Sequence, residues 1–161
     1  MRHINLTRGF VAIVDDEDYE RVSQFRWKAN INHRTVYATR RAPRVKGQKR
    51  GDIKLHHFIL GTKERTDHHD GNGLNNQRYN LRPATMIQNN RNARKRKGAS
   101  SRWKGVHWSK KGRCWRARIG TDGKVSLGSF RDECNAAQAY NFAAEEMYGE
   151  FARFNTPGGC L

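Results

Sequence analysis

Residues 67–92, which read DHHDGNGLNNQRYNLRPATMIQNNRN, contain the pattern that decides the fold of the first half of the chain. Between Asp67-His68 and Asn80 the sequence is rich in glycine and asparagine, which are residues that favour turns. The pattern therefore predicts a hairpin that returns the chain on itself. A helix is predicted to follow, and it would lay Asn89 back across the hairpin, so that residues far apart in sequence converge.

The side chains in this stretch are of the types that hydrolysis of a phosphodiester needs. A hard divalent cation polarises the phosphate and stabilises the leaving oxygen, and carboxylate and side-chain amide oxygens are ligands that suit Mg²⁺. A neutral imidazole nearby takes a proton from the attacking water. The spacing alone leaves an alternative open, because Asn-rich loops are common and an Asp-His pair also occurs in ordinary surface turns.

The same stretch resembles the core of the HNH homing endonucleases, in which the pattern DHxDGNxxxNxxxNLRxxTxxQNxxN recurs. Leu55–Gly61 (LHHFILG) and Val14–Trp27 (VDDEDYERVSQFRW) also resemble segments of that family. The resemblance covers most of residues 4–93. It implies a ββα-metal fold that binds a single divalent ion, Mg²⁺ with Mn²⁺ as the alternative.

The resemblance also implies a role for each of four residues. His68 corresponds to the general base, and Asn80 to the asparagine that braces the backbone and the orientation of that base. Asp67 and Asn89 correspond to the metal ligands, with Asn89 in place of the last histidine of the motif. The predicted catalytic residues are therefore His68 and Asn80, and the predicted metal ligands are Asp67 and Asn89.

One departure from the family pattern leaves a second candidate base, because His69 follows His68 directly. In an extended segment the two side chains point to opposite faces, so only one can address the scissile phosphate, and His68 is favoured. Asn90 is the weaker ligand candidate, since neighbours on a helix point about 100° apart. Asp70 is expected to cap the loop, because Asp-Gly-Asn is typical of turns.

The charge of the chain is concentrated in one segment. The chain has 161 residues with 32 Lys+Arg against 15 Asp+Glu, a formal charge of +17. Residues 71–121 carry 14 basic and no acidic side chain, whereas residues 1–70 carry 15 and 9 and residues 122–161 carry 3 and 6. Three tryptophans interrupt the basic segment, and aromatic residues among Arg and Lys are typical of an ordered surface that lies against phosphates. We therefore expect a nucleic-acid partner.

Composition also bears on the other classes of protein. An RNA-bound protein of the ribosomal type has a similar composition, so this alternative stays open. No run approaches the roughly 18 apolar residues of a membrane span, and the basic N-terminus leads into no apolar signal segment. We therefore expect an intracellular protein, in the cytoplasm, the nucleoid or the host cell of a mobile element, that is neither secreted nor bound to a membrane.

A basic run divides the chain into two domains. Arg91–Lys97 and the small residues after it have little to bury and are interpreted as a linker. The nuclease core is expected at about residues 55–93. The predicted division is a nuclease domain at 1–93, a basic linker at 94–100, a DNA-binding domain at 101–155 and a tail at 156–161.

Short apolar runs predict the elements of the first domain. Val11–Val14 is typical of a strand, and the acidic segment after it favours the start of a helix. Phe25–Ile31 alternates like a half-buried strand and is expected to pair with Thr35–Thr39. Leu55–Leu60 is a helix or a strand that ends at Gly61, and its two histidines are expected to pack or to touch phosphate rather than to bind metal.

In the second domain, three strands and one helix are predicted. The strand candidates are Trp103–Val106, Trp115–Ile119 and Val125–Phe130, joined by hairpin turns. A helix capped by Asp132 follows and stops at Gly149. The fold class is therefore α+β, with a ββα-metal (HNH) nuclease core followed by a small three-stranded antiparallel sheet packed on one helix.

Residues 101–155 resemble the ethylene-response-factor (Apetala-type) DNA-binding domain, on features that include Gly105-Val106, Trp115-Arg116-Ala117, Leu127–Phe130 and Phe154-Asn155. The resemblance implies a sheet that lies in the major groove with the helix behind it. Several positions differ from the plant pattern, so its target sequence does not carry over. The predicted DNA contacts are Lys104, His107, Arg116, Arg118 and Lys124 in the sheet, and Arg91, Arg94, Lys95, Arg96 and Lys97 in the basic run.

These observations predict a metal-dependent DNA endonuclease of the homing type, whose C-terminal sheet positions double-stranded DNA. The alternative is a DNA-binding protein of the transcription-regulator type with an inactive nuclease core, and the presence of all four core residues argues against it. One active site per chain fits a monomer that nicks one strand or a dimer that cuts both. The oligomeric state stays open, with the monomer favoured.

Overall fold

The structure is a computed structural model that describes residues 1–32, 35–95, 98–120 and 125–156. The chain forms two compact units, Met1–Thr85 and Met86–Leu161. Each unit combines helices with short antiparallel strands, which agrees with the predicted α+β class. Within the described ranges, no helix has both the length and the apolar character needed to cross a bilayer.

The first unit contains two small hairpins and one three-stranded sheet among its described residues, and all of their strands pair antiparallel. In chain order, the first and second strands form one hairpin, the sixth and seventh strands form the other, and the third, fourth and fifth strands form the sheet. The elements are β1 (Arg2–Asn5), β2 (Val11–Val14), α1 (Asp16–Ser23), β3 (Lys28–Ile31), β4 (Val36–Arg41), β5 (Asp52–Lys54), α2 (Leu55–Leu60), β6 (Thr66–His68) and β7 (Leu81–Pro83).

The core of the first unit draws on β1, β2, α1, β4 and α2. Val14, Val22 and Leu55 have no exposed surface, and burial of a side chain of this size contributes about 1.5–3 kcal/mol. The indole of Trp27 is buried beside them and donates a hydrogen bond to the carbonyl of Val22 (3.0 Å). Because this bond holds Trp27 in the turn after α1, strand β3 begins only at Lys28, later than the alternation predicted.

The apolar run that the sequence left open as helix or strand is helix α2. The helix ends at Gly61, whose φ of 67° lies in the left-handed region that glycine adopts at little cost. Helix α1 has acidic residues throughout its first turn, as its sequence predicted. Both helices therefore begin or end where local chemistry favours a boundary.

The second unit is a three-stranded antiparallel sheet with one long helix packed against it, as predicted. The middle strand of the sheet is the second of the three in chain order. The carboxylate of Asp132 caps the long helix by accepting hydrogen bonds from the backbone N–H groups of Cys134 (2.8 Å) and Asn135 (3.0 Å). The elements are α3 (Met86–Asn92), β8 (Val106–Ser109), β9 (Cys114–Ile119), β10 (Val125–Phe130) and α4 (Glu133–Tyr148).

Strand β8 begins at Val106, whereas the sequence predicted a strand from Trp103. Trp103 is buried, and its backbone N–H donates to Oγ of Ser101 (2.9 Å) in a turn. Gly105 then takes a φ of 76°, and a Cβ at this position would overlap the ring of Tyr140. Only glycine fits so close to α4, and the strand starts after it.

Helix α3 belongs to the second unit, although the sequence placed the domain boundary at residues 94–100. The ammonium group of Lys104 donates hydrogen bonds to backbone carbonyls at the C-terminal end of α3. The guanidinium of Arg91 lies over the ring of Tyr148, 4.6 Å from its centroid. These contacts tie α3 to the sheet and its long helix, so the compact unit starts at Met86.

Candidate functional site

Asp67 and His68 lie next to each other in β6, and their cross-strand partners in β7 are Arg82 and Leu81. The guanidinium of Arg82 donates two hydrogen bonds to Oδ2 of Asp67, from Nε (3.1 Å) and from Nη2 (2.9 Å). Asp67 is 4% exposed and His68 is 5% exposed. The buried carboxylate is therefore neutralised by a cation from the opposite strand, which the sequence analysis did not identify.

The loop after His68 is held together by the side chain of Asn80, which is 1% exposed. Its Oδ1 accepts a hydrogen bond from the backbone N–H of Asp70 (2.9 Å), and its Nδ2 donates to Oδ1 of Asp70 (3.0 Å) and to the carbonyl of Asn75 (2.8 Å). The carbonyl of Asn80 accepts from the backbone N–H of His69 (2.9 Å). Asn80 thus fastens the two residues that follow His68, where the resemblance places a bracing asparagine.

Asp70 caps this loop, as expected from the Asp-Gly-Asn sequence. Its Oδ1 accepts from the backbone N–H of Asn72 (2.7 Å), and its Oδ2 accepts from Nδ2 of Asn75 (2.9 Å). Burial works against the charged form, but these hydrogen bonds and the one from Asn80 hold the pKa of Asp70 below its ordinary value. The carboxylate is therefore ionised, and it accepts three hydrogen bonds within the loop.

Strand β2 and helix α1 position the loop from outside the hairpin. The backbone N–H of Ile13 donates to the carbonyl of Leu74 (2.8 Å), and the N–H of Asn76 donates to the carbonyl of Ile13 (2.8 Å). The buried carboxylate of Asp18 accepts hydrogen bonds from Nε (2.9 Å) and Nη2 (2.9 Å) of Arg78. Strand β2 therefore holds the middle of the loop, and helix α1 holds the end of the loop that precedes Asn80.

The acidic start of α1 therefore has a role that the sequence analysis missed. Asp15 accepts hydrogen bonds from Nε2 of Gln77 (2.9 Å) and from the backbone N–H of Arg78 (2.7 Å), and Glu17 forms an ion pair with Arg78 (2.6 Å). The signal in the sequence is the density of acids before α1. No periodicity connects them to their partners, which lie more than 60 positions later in the chain.

Gly73 is a point of close approach between the loop and β4. A Cβ at this position would lie 2.5 Å from the carbonyl oxygen of Val36 and 2.7 Å from the ring of Tyr37. The backbone N–H of Gly73 donates to Oγ1 of Thr35 (3.3 Å). The loop therefore lies directly on β4, and only glycine fits between them.

The ring of His68 lies in a cluster of aromatic side chains. Its centroid is 5.0 Å from the ring of His56 and 5.8 Å from the ring of Tyr37. Burial lowers the pKa of His68, and burial together with the neighbouring His68 lowers the pKa of His56 to about 2. His69, the alternative base, is exposed. Both buried imidazoles are neutral near pH 7, which is the form that accepts a proton.

The chemistry of Asp67 fits a hard divalent cation. A carboxylate has about four lone-pair positions, so Asp67 can bond to Arg82 and also offer oxygen to an ion such as Mg²⁺. Asn89, the other predicted ligand, is half-buried in α3. Asn89 belongs to the second unit, and its sharing of one ion with Asp67 stays a prediction.

Three of the predicted DNA contacts share one face of the second unit's sheet. The register pairs Val106 with Ala117 and His107 with Arg116. Val106 and Ala117 are buried in the core beneath α4. Because side chains alternate along a strand, His107, Arg116 and Arg118 lie on the opposite face, away from the helix.

The cations near this face crowd one another. Burial lowers the pKa of His107, and neighbouring cations lower it further. These cations are Arg118, Lys95 and Arg116. His107 and Arg118 also line an open cavity of about 420 Å³ within the second unit, and no acidic side chain is among its described lining residues. The positive potential that results attracts anions.

Two other predicted DNA contacts have partners inside the second unit. The Nζ of Lys104 donates hydrogen bonds to the carbonyls of Arg91 and Ala93, the latter at 2.8 Å, and burial lowers the pKa of Lys104 to about 8. The Nζ of Lys95 donates to the carbonyl of Val106 (2.7 Å). A cation at a helix C-terminus satisfies carbonyls that lack partners in the helix. Both ammonium groups therefore stabilise the fold, and their contact with DNA stays a prediction.

The remaining residues of the basic run differ in their surroundings. Arg91 is partly buried through its stacking on Tyr148, whereas Arg94 is exposed. The other three predicted contacts lie outside the described residues, and they are Arg96, Lys97 and Lys124.

Comparison with known proteins gives two relatives. The chain is 31% identical over 157 residues to an uncharacterized HNH endonuclease of Acanthamoeba polyphaga mimivirus, a match that covers 92% of this chain and 76% of that protein. It is 36% identical over 88 residues to Protein 3.8 of Escherichia phage T7, which covers 55% of this chain and 73% of that protein. No family model matches the chain, and no solved structure matches it significantly.

Proposed function

Because the chain belongs to the family of HNH endonucleases, we propose that it hydrolyses phosphodiester bonds in double-stranded DNA with the help of one divalent cation, Mg²⁺ or Mn²⁺. The observation that carries the proposal is the arrangement around His68. A buried, neutral imidazole stands next to a buried carboxylate, and the loop that follows is fastened by Asn80. A general base and an oxygen ligand are thus held in fixed positions on one strand.

Each residue of the hairpin has one task in this proposal. His68 takes the proton from the attacking water at a ring nitrogen. Asp67 and Asn89 would hold the cation, which would polarise the phosphate and stabilise the leaving oxygen. Asn80 holds the backbone after His68 and thereby orients the imidazole. Arg82 holds the carboxylate of Asp67 through its two hydrogen bonds.

We further propose that the outer face of the second sheet, which carries His107, Arg116 and Arg118, holds the DNA. Contacts between cations and phosphates supply affinity that does not depend on sequence, and contacts to base edges select the site. The absence of acidic side chains from residues 71–121 supports this assignment. A nuclease joined to its own DNA-binding sheet cuts at a chosen place, which is the homing-type activity that we propose.

The proposed activity is tested with a supercoiled plasmid. We expect Mg²⁺ to convert the plasmid into the nicked or linear form, and an excess of EDTA to stop the reaction, because the phosphate is then no longer polarised. A labelled duplex library in the same buffer identifies the strand and the site. Binding of duplex without cleavage in either Mg²⁺ or Mn²⁺ would contradict the nuclease proposal and favour a DNA-binding regulator.

His107 makes DNA binding dependent on pH. In the free protein its pKa lies below 6.5 because of burial and the neighbouring cations. A phosphate beside the ring favours the charged form, so the pKa is higher in the complex. Binding then takes up a proton. The affinity is therefore greatest at pH values below the pKa of His107 in the free protein, and it falls as the pH rises through the pKa of His107 in the complex. The total fall is about tenfold for each pH unit that separates these two pKa values.

The measurement is the affinity for a short duplex in metal-free buffer from about pH 5 to about pH 8, the range in which histidine titrates. Replacing His107 by glutamine should flatten the profile, with the largest loss of affinity at the acid end. The exposed His69 serves as the control, and His69→Gln should keep the profile of the wild type. Identical profiles for the wild type and His107→Gln would show that His107 does not contact the phosphate.

A further inference from the structure

The first unit contains a basic segment that is not apparent from the net charge of residues 1–70. Residues 21–51 carry ten Lys and Arg side chains and no Asp or Glu. The acids that balance them in sequence lie in and before α1, and three of these acids, Asp15, Glu17 and Asp18, bind Gln77 and Arg78. Asp18 also pairs with Arg21 (2.7 Å), the first cation of the basic segment. In the described part of the chain, no ion pair joins these three carboxylates to the other nine cations.

Four of these cations lie on a ribbon that extends from the three-stranded sheet. Strands β4 and β5 pair antiparallel with Thr39 opposite Lys54. Beyond them the backbone N–H of Ala42 donates to the carbonyl of Gly51 (3.0 Å), and Nε of Arg50 donates to the carbonyl of Ala42 (2.6 Å). We call residues 42–51 the basic arm, and its structure is a closed loop at the end of a two-stranded ribbon.

The cations of the basic arm point into solvent. Residues 43–50 are all exposed, and the apolar Val45 is itself 53% exposed. Asp52, the acid next to the arm, already pairs with Lys28 (3.6 Å) and Arg41 (3.4 Å). In the described part of the chain, none of the arm's four cations forms an ion pair, and these are Arg44, Lys46, Lys49 and Arg50.

We propose that the basic arm is a second DNA-binding element, which lies in the major groove of the DNA that the first unit cleaves and contacts the phosphates on both sides of that groove. This inference rests on the proposed function. The major groove of B-DNA admits a two-stranded β-ribbon, and each neutralised phosphate releases counterions that favour binding. A membrane-binding loop would need more apolar surface than one valine supplies.

Strand β4 sets the distance between the arm and the candidate active site. Tyr37 in β4 packs against His68, and the strand then runs directly to the arm at Ala42. At roughly 3.3 Å per residue these five steps span about 16 Å. Since successive base pairs are about 3.4 Å apart, the arm reaches the groove about five base pairs from the bond that is cut.

The test compares two full-length variants that lose the same charge. The arm variant carries Arg44→Gln and Lys46→Gln, and the control carries Arg26→Gln and Arg131→Gln, two exposed positions outside the arm. Equilibrium binding to a duplex is measured against salt concentration in metal-free buffer. The cut site is mapped in Mg²⁺, and a hydroxyl-radical footprint is taken on the same duplex in the absence of metal. Thermal unfolding checks that both variants fold.

We expect the slope of log affinity against log salt to fall by about two in the arm variant, because each lost phosphate contact removes about 0.9 from it. The footprint should lose protection about five base pairs from the cut, and the cleavage rate at saturating DNA should not change. The control should keep the wild-type footprint. If the wild type binds and cleaves DNA but the arm variant has the same slope and footprint as the control, the inference about the arm is wrong and the proposed function is unaffected. A wild type that neither binds nor cleaves duplex DNA would overturn the proposed function as well.

Discussion

Replacing His68 by alanine is expected to lower the rate of DNA nicking by about 10²- to 10⁴-fold, which is the usual contribution of a positioned general base. The affinity for DNA should stay unchanged, because the phosphate contacts come from basic surfaces elsewhere in the chain. The imidazole of His68 is neutral and buried beside His56 and Tyr37. Burial and the neighbouring His68 lower the pKa of His56 to about 2, so His56 is too weak a base to replace it. The measurement is the single-turnover rate on supercoiled plasmid at saturating protein.

Two further variants separate chemistry from folding. His68→Gln retains most of the side-chain volume in the aromatic cluster but supplies no base, so it should be as slow as His68→Ala with less loss of thermal stability. His69→Ala is the matched control, because His69 is the exposed neighbour, and it should nick at the wild-type rate. If His69→Ala nicked slowly and His68→Gln nicked at the wild-type rate, the general base would be His69 instead of His68.

Replacing Asn80 by alanine is expected to lower the free energy of unfolding by on the order of 3 kcal/mol. The change removes three side-chain hydrogen bonds and leaves the backbone N–H of Asp70 and the carbonyl of Asn75 without this partner in a site with little access to water. Each buried group that loses its partner costs about 1–3 kcal/mol. Nicking should also be lost, because the backbone after His68 is no longer held. Urea unfolding in metal-free buffer measures the first effect.

The matched control for this change is Asn72→Ala on the same loop. Asn72 is exposed, and its side chain accepts one hydrogen bond, from the backbone N–H of Leu74 (3.1 Å). Water replaces that bond at little cost, so the loss of stability should be below about 1 kcal/mol. If Asn80→Ala were as stable and as active as Asn72→Ala, the network around Asn80 would have no part in holding the base.

Much of the candidate site could be predicted because its residues are close in sequence and their chemistry is local. The turn residues between His68 and Asn80 indicated a hairpin, and β6 and β7 form one. Asp70 caps its loop as the Asp-Gly-Asn sequence indicated. The side chain of Asp132 caps α4 for the same reason. In each case the donor and the acceptor lie within a few residues, so composition and spacing contain the necessary information.

Contacts between distant residues were not predictable in this way. Asp18 and Arg78 are 60 positions apart, and nothing in either segment identifies the other. Lys104 was assigned to DNA from its position in a pattern, yet its ammonium group satisfies the carbonyls of α3. The same contact explains why the second unit begins at Met86 and not after the basic run.

The distribution of charge shows most clearly how the sequence and the tertiary structure differ in what they reveal. Summed along the sequence, the first 70 residues have 15 basic and 9 acidic side chains and look nearly balanced beside the segment that follows. In the structure three of the acids around α1, Asp15, Glu17 and Asp18, bind the loop before Asn80, and the cations of residues 42–51 are exposed.

The sequence by itself determined the chemical identity of the site, because an imidazole, a carboxylate and amides keep their functional groups in any fold, and it determined the turns and caps, whose partners are near neighbours. Only the tertiary structure decided which charges are already paired, which cations support a helix and which remain available to DNA. Pairing depends on distance in space, and a folded chain brings together residues whose separation along the sequence carries no information about that distance.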